Sequence, residues 1–238
     1  MKDLILLPTY NERENIEISI KEIFAILPEV HILVIDDNSP DKTAEVVKNL
    51  MSHYKNLDIL ERPEKNGLGN AYKDAIIKSI KDKDIRSITT MDADGSHAPK
   101  YLPIFLSEIN NYDLIIGSRY VKGGGVENWA FFRRQLSRFG NFYAKFWTGL
   151  PINDLTAGFI CTRRELLERI NFDNISSSGY AYNIEFKFVC MQVLKARAKE
   201  VPIIFLSRRQ GESKISNQII SEGMILPLKL FWKKIWKK

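Results

Sequence analysis

Residues 86–97 read RSITTMDADGSH: a run with the composition of a buried strand that ends on two aspartates, Asp92 and Asp94, separated by one residue. Side chains at i and i+2 of an extended segment point the same way, so both carboxylates can turn toward one site just beyond the strand. Two neighbouring carboxylates repel each other, and a divalent cation relieves that repulsion. Oxygen ligands of this kind suit Mg²⁺ or Mn²⁺, which keep some of their waters and recruit substrate phosphates. Asp-x-Asp-Gly is also good turn chemistry. The pair alone therefore leaves a solvated turn or a helix cap open, and its neighbours have to decide.

On either side of this stretch, apolar runs bounded by turn residues alternate with helical periodicity. The pattern predicts strands at 4–7, 31–35, 57–60, 86–91 and 113–116, with helices at about 13–27, 42–52, 68–80 and 99–109 between them. Such alternation predicts an α/β fold with a mostly parallel central sheet flanked by helices. Ligands of these sheets sit beyond the carboxyl ends of the strands. The loops there are polar and glycine-rich: PTYNE at 8–12, DDNSPD at 36–41, ERPEKNGLGNA at 61–71, DADGSH at 92–97 and GSRYVKGGG at 117–125. Beyond residue 125 the pattern predicts an aromatic-rich helix at 131–148, a strand near 157–162, a helix at about 182–195, a strand at 200–206 and a terminal helix at about 217–236. No internal repeat, low-complexity tract or linker interrupts it. One domain over 1–223 is expected, followed by an amphipathic helical segment over 224–238.

A chain of 238 residues with 45% hydrophobic content can bury a sizeable core. Its net charge of +6 and pI near 9.1 favour anionic partners. Its two cysteines, Cys161 and Cys190, form no C-x-x-C pair, which suggests neither a zinc site nor a disulfide framework and points to a reducing compartment. The start lacks the pattern of a signal peptide. No apolar run approaches the roughly 18 to 20 residues of a membrane span. Acidic loops at the sheet edge argue against a nucleic-acid binder. NGLGNA opens a helix with small residues that permit close backbone approach, but Tyr72 stands where the third glycine of a dinucleotide fingerprint belongs, which disfavours a nicotinamide dehydrogenase.

The loops also carry individual candidates. PTYNERENI places Asn11 or Glu12 near a helix N-terminus, where ordinary capping is the alternative to ligand binding. VIDDNSPDKT sets Asp36 and Asp37 at a strand end, where a carboxylate can accept bonds from a base or ribose.

Taken together, LPTYNERENI, VIDDNSPDKT, NGLGNAY, MDADGSH-P, GSRYVKGGGVENW, DLTAGF and RRQGESK, in this order over nearly the whole chain, resemble the family 2 glycosyltransferases of the GT-A fold, and more narrowly the polyprenol (dolichol) phosphate mannose synthases. The resemblance implies a GDP-mannose donor, a polyprenyl phosphate acceptor and Mg²⁺ or Mn²⁺ at the Asp-x-Asp motif. By position it implies that Pro8, Tyr10, Glu12 and Asp37 line the nucleotide and that Asp92 and Asp94 meet the metal and diphosphate. Arg119 and Arg133 match acceptor-phosphate positions, and Arg208 and Lys214 match a late loop that closes over the diphosphate. Asp94, Arg119 and Arg133 would carry catalysis. One departure concerns the metal: some relatives have Gln two residues after the second aspartate, and Ser96 stands there here. A serine hydroxyl can still coordinate, or can bond a water. His97 reads as a helix-entry residue before Pro99. Asp154 matches a cleft position that turn capping explains equally well, and Glu185 is a weaker candidate.

A phosphate monoester acceptor is already anionic near neutral pH, its second pKa being about 6, so no general base is required. The three histidines of the chain are consistent with that. In-line displacement would invert the anomeric centre. A lipid acceptor also calls for a membrane surface. Met224, Leu228, Phe231, Trp232, Ile235 and Trp236 fall on one side of a terminal helix, and Lys229, Lys233, Lys234, Lys237 and Lys238 on the other. A second stripe, Phe132, Leu136, Phe139, Tyr143, Phe146 and Trp147, reads equally as core or as lipid contact. The expected location is peripheral, on the cytoplasmic face of a membrane, with a membrane-protein partner subunit as an option. Two other functions stay open: a family 2 enzyme using a UDP-sugar (glucose or an N-acetylhexosamine) with polyprenyl phosphate or a sugar hydroxyl, and a non-catalytic membrane-associated binding subunit.

Overall fold

A computed structural model of the protein describes residues 1–209 and 217–236. Its first half alternates strand and helix: β1 (Lys2–Thr9), α1 (Arg13–Ile26), β2 (His31–Asp36), α2 (Thr43–Met51), β3 (Leu57–Glu61), α3 (Leu68–Ser79), β4 (Ile85–Thr90), α4 (Leu102–Glu108) and β5 (Leu114–Ser118). The second half adds β6 (Gly125–Val126), α5 (Phe131–Thr148), β7 (Ile160–Arg163), α6 (Arg164–Glu168), α7 (Tyr182–Phe188), β8 (Ala198–Pro202), β9 (Ile204–Phe205) and α8 (Asn217–Trp236).

Seven strands form one sheet in the order β3-β2-β1-β4-β7-β5-β8, and β6 and β9 form a small parallel pair beside it. All pairings in the large sheet are parallel except those of β7, which runs antiparallel to both β4 and β5. The α/β expectation with a mostly parallel sheet holds. Leu4 to Leu7 of β1 are buried on both faces, as a central parallel strand requires. Leu4 and Leu6 join Leu33, Ile35 and Ile88 under α3, α6 and α7; Ile5 and Leu7 join Ile32 and Val34 under α1, α2 and α4.

Two features of the sheet create the site. β1 pairs with β4 only as far as Leu6 opposite Thr90, while its pairing with β2 continues to Thr9 opposite Asp36. Pro8, which has no N–H to give a ladder, lies where β1 and β4 have already parted. The strand order also reverses between these two strands, and that is where a crevice opens. Because β7 runs against its neighbours, the loop that enters it is delivered to the carboxyl ends of β4 and β5, beside the aspartates.

Several boundaries differ from the periodicity. The strand expected near 157–162 is β7, leaving Thr156 to Phe159 as loop at the site. The strand expected at 200–206 breaks at Ile203 into β8 and β9. The helix over 99–109 opens with a tight turn at Pro99–Tyr101 before α4. α7 widens into a π-helical segment, Val189–Val193, and the chain leaves it through Lys195 at φ 58°.

Candidate active site

The segment after β4 is pinned from several sides. Ser19 of α1 donates to the Ala93 carbonyl at 2.7 Å, and Gly95 takes a left-handed turn at φ 80°. The Asp92 backbone N–H donates to His97 Nδ1 at 2.9 Å, so that nitrogen carries a lone pair and the proton sits on Nε2. His97 is buried against Phe159, with ring centroids 4.8 Å apart, and against the edge of Phe205. It enters the helical turn at Pro99, and it also braces the Asp-x-Asp loop, a role its sequence context does not reveal. Burial lowers the His97 pKa, while Asp92 and Asp94 pull it the other way.

Asp92 faces the crevice, its side chain 29% exposed. Burial, and after the opposing His97 also the charge of Asp94, push its carboxyl above the ordinary value. Asp94 is buried; its Oδ1 accepts from the Ser96 N–H at 2.9 Å, and its Oδ2 lies 3.0 Å from Arg208 Nε. Ser96 Oγ is buried at the same place without a hydrogen-bond partner among the described residues. The segment after β9 is zipped to this loop: Leu206 N–H donates to the Ser96 carbonyl at 3.0 Å, and Arg209 N–H to the Asp94 carbonyl at 3.1 Å. Lys214 lies outside the described residues.

At the ends of β1 and β2 are the residues expected beside the nucleotide. Pro8 is half-buried where β1 leaves β4. Tyr10 has the Lys65 ammonium 4.0 Å above its ring. Glu12 occupies the N-cap position of α1, and its carboxylate accepts from Asn15 Nδ2 at 2.8 Å. Asp36 accepts bonds from Thr9 and Ser39 and so shapes its own turn. Asp37 pairs with the buried Arg62, which also reaches Asp74 and Asn66. Burial raises the Asp37 pKa, and Arg62 works against that rise. Arg62 stood in the ERPEKNGLGNA loop with nothing local to mark it. NGLGNA makes its close approach to protein: a Cβ on Gly67 would lie 2.4 Å from the Ser178 carbonyl oxygen.

Across the crevice, Arg119 follows β5. Its Nε and Nη2 donate to the two oxygens of Asp154 at 2.7 Å each, and Nη2 also reaches Thr156 Oγ1 at 2.8 Å. Burial opposes the charge of both partners; the pairing outweighs it, raising the Arg119 pKa and lowering that of Asp154. Asp154 is held in turn by Glu200, which accepts from the Asp154 N–H at 3.0 Å, from the Asn153 N–H and from Ser118 Oγ. From below, the fully buried Lys187 donates to the Leu155 and Ala157 carbonyls at 2.9 and 2.6 Å. Glu185 instead ties down the chain at Ser176 and Ser177. Glu200 and Lys187 are further residues that the motifs did not single out, and Trp129, at the end of GSRYVKGGGVENW, was given no role.

Arg133 stacks on Trp129, with its guanidinium carbon 4.1 Å from the ring centroid, and its Nε is buried without a hydrogen-bond partner among the described residues. Burial and the cations of Arg208 and Arg119 lower its pKa. These three arginines, with Asp92 and Ser96, line one end of a cavity of about 520 Å³. The rest of its wall is largely apolar and includes Leu136, Phe139, Tyr143, Ile184 and Met224.

Residues 4–170 match the model of glycosyl transferase family 2. The chain belongs to that family. This glycosyl transferase is 39% identical over 94% of its length to a polyprenol monophosphomannose synthase of Mycolicibacterium smegmatis, covering 84% of that protein. It is 36% identical over the same share to an undecaprenyl-phosphate mannosyltransferase of Micrococcus luteus, covering 92% of it. Its fold matches glucosyl-3-phosphoglycerate synthase of Mycobacterium tuberculosis, solved with Mn²⁺ and UDP, at TM-score 0.66 and 15% identity over 97% of this chain and 79% of the other. It also matches a mannosyltransferase of Pyrobaculum calidifontis, solved with GDP-mannose and Mn²⁺, at TM-score 0.58 and 16% identity over 99% and 74%.

Among the described residues of the enzyme, no three acidic, histidine or cysteine side chains converge into a metal cage. The donors that do gather are two carboxylates and the unpartnered Ser96 hydroxyl. An oxygen-only, incomplete set of this kind fits Mg²⁺ or Mn²⁺, whose other positions go to water and phosphate.

Proposed function

We propose that this enzyme transfers mannose from GDP-mannose to a polyprenyl phosphate with inversion, giving a β-linked polyprenyl phosphate mannose. The observation that carries the reading is the convergence of Arg119, Arg133 and Arg208 at one end of an apolar-walled cavity that also reaches Asp92, with the buried Nε of Arg133 lacking a partner among the described residues. Cations gathered beside apolar walls suit an anion attached to a hydrocarbon. The names of the two sequence relatives support the same acceptor and sugar.

In this reading Asp92, Asp94 and Ser96 hold Mg²⁺ or Mn²⁺, which when bound neutralises charge on the departing diphosphate. Tyr10, Glu12 and Asp37, beside Pro8, line the nucleotide, with Arg62 orienting Asp37. Arg119 and Arg133 hold the acceptor phosphate on the opposite side of the sugar. One phosphate oxygen attacks the anomeric carbon, the bond from that carbon to the diphosphate oxygen breaks, and GDP departs with the electron pair. No proton has to be removed, because the nucleophile arrives ionised. Alignment and charge carry the rate. Arg208, beside Asp94, meets the diphosphate.

Helix α5 supports action at a bilayer surface. It buries Asn141, Ala144 and Thr148, while Phe131 and Phe132 are 75% and 77% exposed and Phe139, Phe142 and Phe146 also face outward. An aromatic face turned out and flanked by Arg134, Arg138 and Lys145 suits an anionic interface. α8 packs on this helix through Leu226, Leu230 and the contact of Phe231 with Trp147, leaving Met224 and Trp232 exposed. Pro227 lies within α8. Among the described residues, no helix is long and apolar enough to cross a membrane. We place the enzyme at the cytoplasmic face, with a membrane-protein partner subunit as an option.

The test is a panel of radiolabelled GDP- and UDP-sugars offered with polyprenyl phosphate in the presence of Mg²⁺, Mn²⁺ or a chelator. Label should enter lipid from GDP-mannose only when a metal is supplied. Incorporation solely from a UDP-sugar would overturn the donor, and no incorporation at all from an active donor-binding protein would favour a binding subunit.

A further inference from the structure

Gly140 lies at the centre of α5, and Gly223 lies near the start of α8. Glycine within a helix weakens it, because the unfolded backbone has more freedom to lose. Folds tolerate this where a side chain would collide. Gly69 of α3 shows that situation, with the Tyr182 Cβ 2.7 Å from a built Cβ. Gly140 and Gly223 do not: among the described residues, a Cβ on either would meet nothing within 4 Å. Both nevertheless line the large cavity.

The two glycines therefore leave a notch that no packing demands. Along α5, Arg133, Leu136, Gly140 and Tyr143 follow one another at helical spacing and all line the cavity, so the notch continues from the arginine end on a single face. Tyr143 donates its hydroxyl to the Met224 carbonyl at 3.0 Å, tying α5 to α8 beside the opening. Leu136, Phe139 and Met224 give it apolar walls.

We propose that the notch floored by Gly140 and Gly223 receives the prenyl units adjoining the acceptor phosphate, so that two absent side chains set which lipid chains enter. This rests on the reading that the arginines hold that phosphate. A headgroup fixed at Arg133 starts its hydrocarbon where the notch begins, and methyl-branched units need the width that a side chain would remove. A straight channel with ordinary helix residues would lack that width.

The test uses the full chain with Gly140→Ala, Gly140→Leu, Gly223→Ala and Gly223→Leu, a long-chain polyprenyl phosphate as substrate, and methyl phosphate as a competitor that carries the headgroup alone. The alanine variants should melt at higher temperature than the parent, since alanine is the better helix former and meets no obstruction. The leucine variants should raise the KM for polyprenyl phosphate roughly tenfold or more, the alanine variants less, with inhibition by methyl phosphate unchanged in all four. A raised melting temperature with unaltered KM in the alanine variants, and unaltered KM in whichever leucine variants fold, would overturn the notch. Arg133→Ala distinguishes the levels: a raised KM there beside unaffected glycine variants rejects the notch alone, whereas an unaltered KM there rejects the arginine assignment on which it rests.

Discussion

Lys187 has no counterpart among the sequence motifs, yet it is fully buried and its pKa is lowered to about 7 by burial, with Arg119 adding to that and Asp154 opposing it. The unfolded chain keeps this proton to about pH 10.4, so between roughly 7 and 10 the unfolded state binds the extra proton and rising pH favours the folded state. Urea titrations at pH 7, 8 and 9 should show a stability increment, at most about 1.4 kcal/mol per pH unit, that disappears in Lys187→Met. That variant should also lose about 1 to 3 kcal/mol, because the Leu155 and Ala157 carbonyls are left without a donor. Arg208 calls for a different measurement. It sits on Asp94, so a metal ion and this guanidinium compete for one carboxylate. Arg208→Ala should bind Mn²⁺ more tightly in the absence of nucleotide, by roughly a factor of 10, the value of about 1.4 kcal/mol, in an electron paramagnetic resonance titration. Unchanged binding would mean that the pair does not compete. Asp92, Asp94 and Arg119 could be singled out because they stand in recognisable loops, and Arg133, in α5, through the family resemblance alone; their roles are part of the proposal. Arg62, Lys187 and Glu200 could not be, since each acts on a residue 25 to 46 positions away and looks ordinary among its own neighbours.

Among the elements, the long apolar strands and their helices could be read directly from periodicity. α5 could be placed, at 131–148, but not oriented, because an aromatic stripe has the same spacing whether it faces a core or a bilayer. The small buried residues Asn141, Ala144 and Thr148 settle which face is inside, and only packing reveals them. Phe142→Ser combined with Phe146→Ser should change folding stability by no more than about 0.5 kcal/mol per site, as exposed positions do. It should weaken flotation with anionic liposomes by roughly tenfold or more, each phenylalanine leaving an apolar phase being worth about 1.5 kcal/mol or more. Equal flotation would remove α5 from the membrane contact. At the start of α3 the sign is opposite to that at the notch. Gly67 has φ 105° and the Ser178 carbonyl against its open side, so Gly67→Ala should cost about 2 kcal/mol or more in urea unfolding.

At the scale of the molecule, the excess of six positive charges over 238 residues makes approach to an anionic surface depend on ionic strength. Liposome association should fall steeply between low and physiological salt for vesicles containing anionic lipid and only slightly for neutral ones; equal salt dependence would rule out electrostatic attraction. The overall α/β order was legible, but the reversed strand β7 was not, because four residues carry no mark of direction. That strand has a consequence for biosynthesis. β7 lies between β4 and β5, and β8, the edge strand beside β5, emerges from the ribosome later still. A nascent chain released after β5 would present the acidic lip with its neighbouring strands unjoined and Arg119 deprived of its carboxylate. Competence would therefore arrive abruptly and late in translation, when one short antiparallel strand fills the gap between β4 and β5.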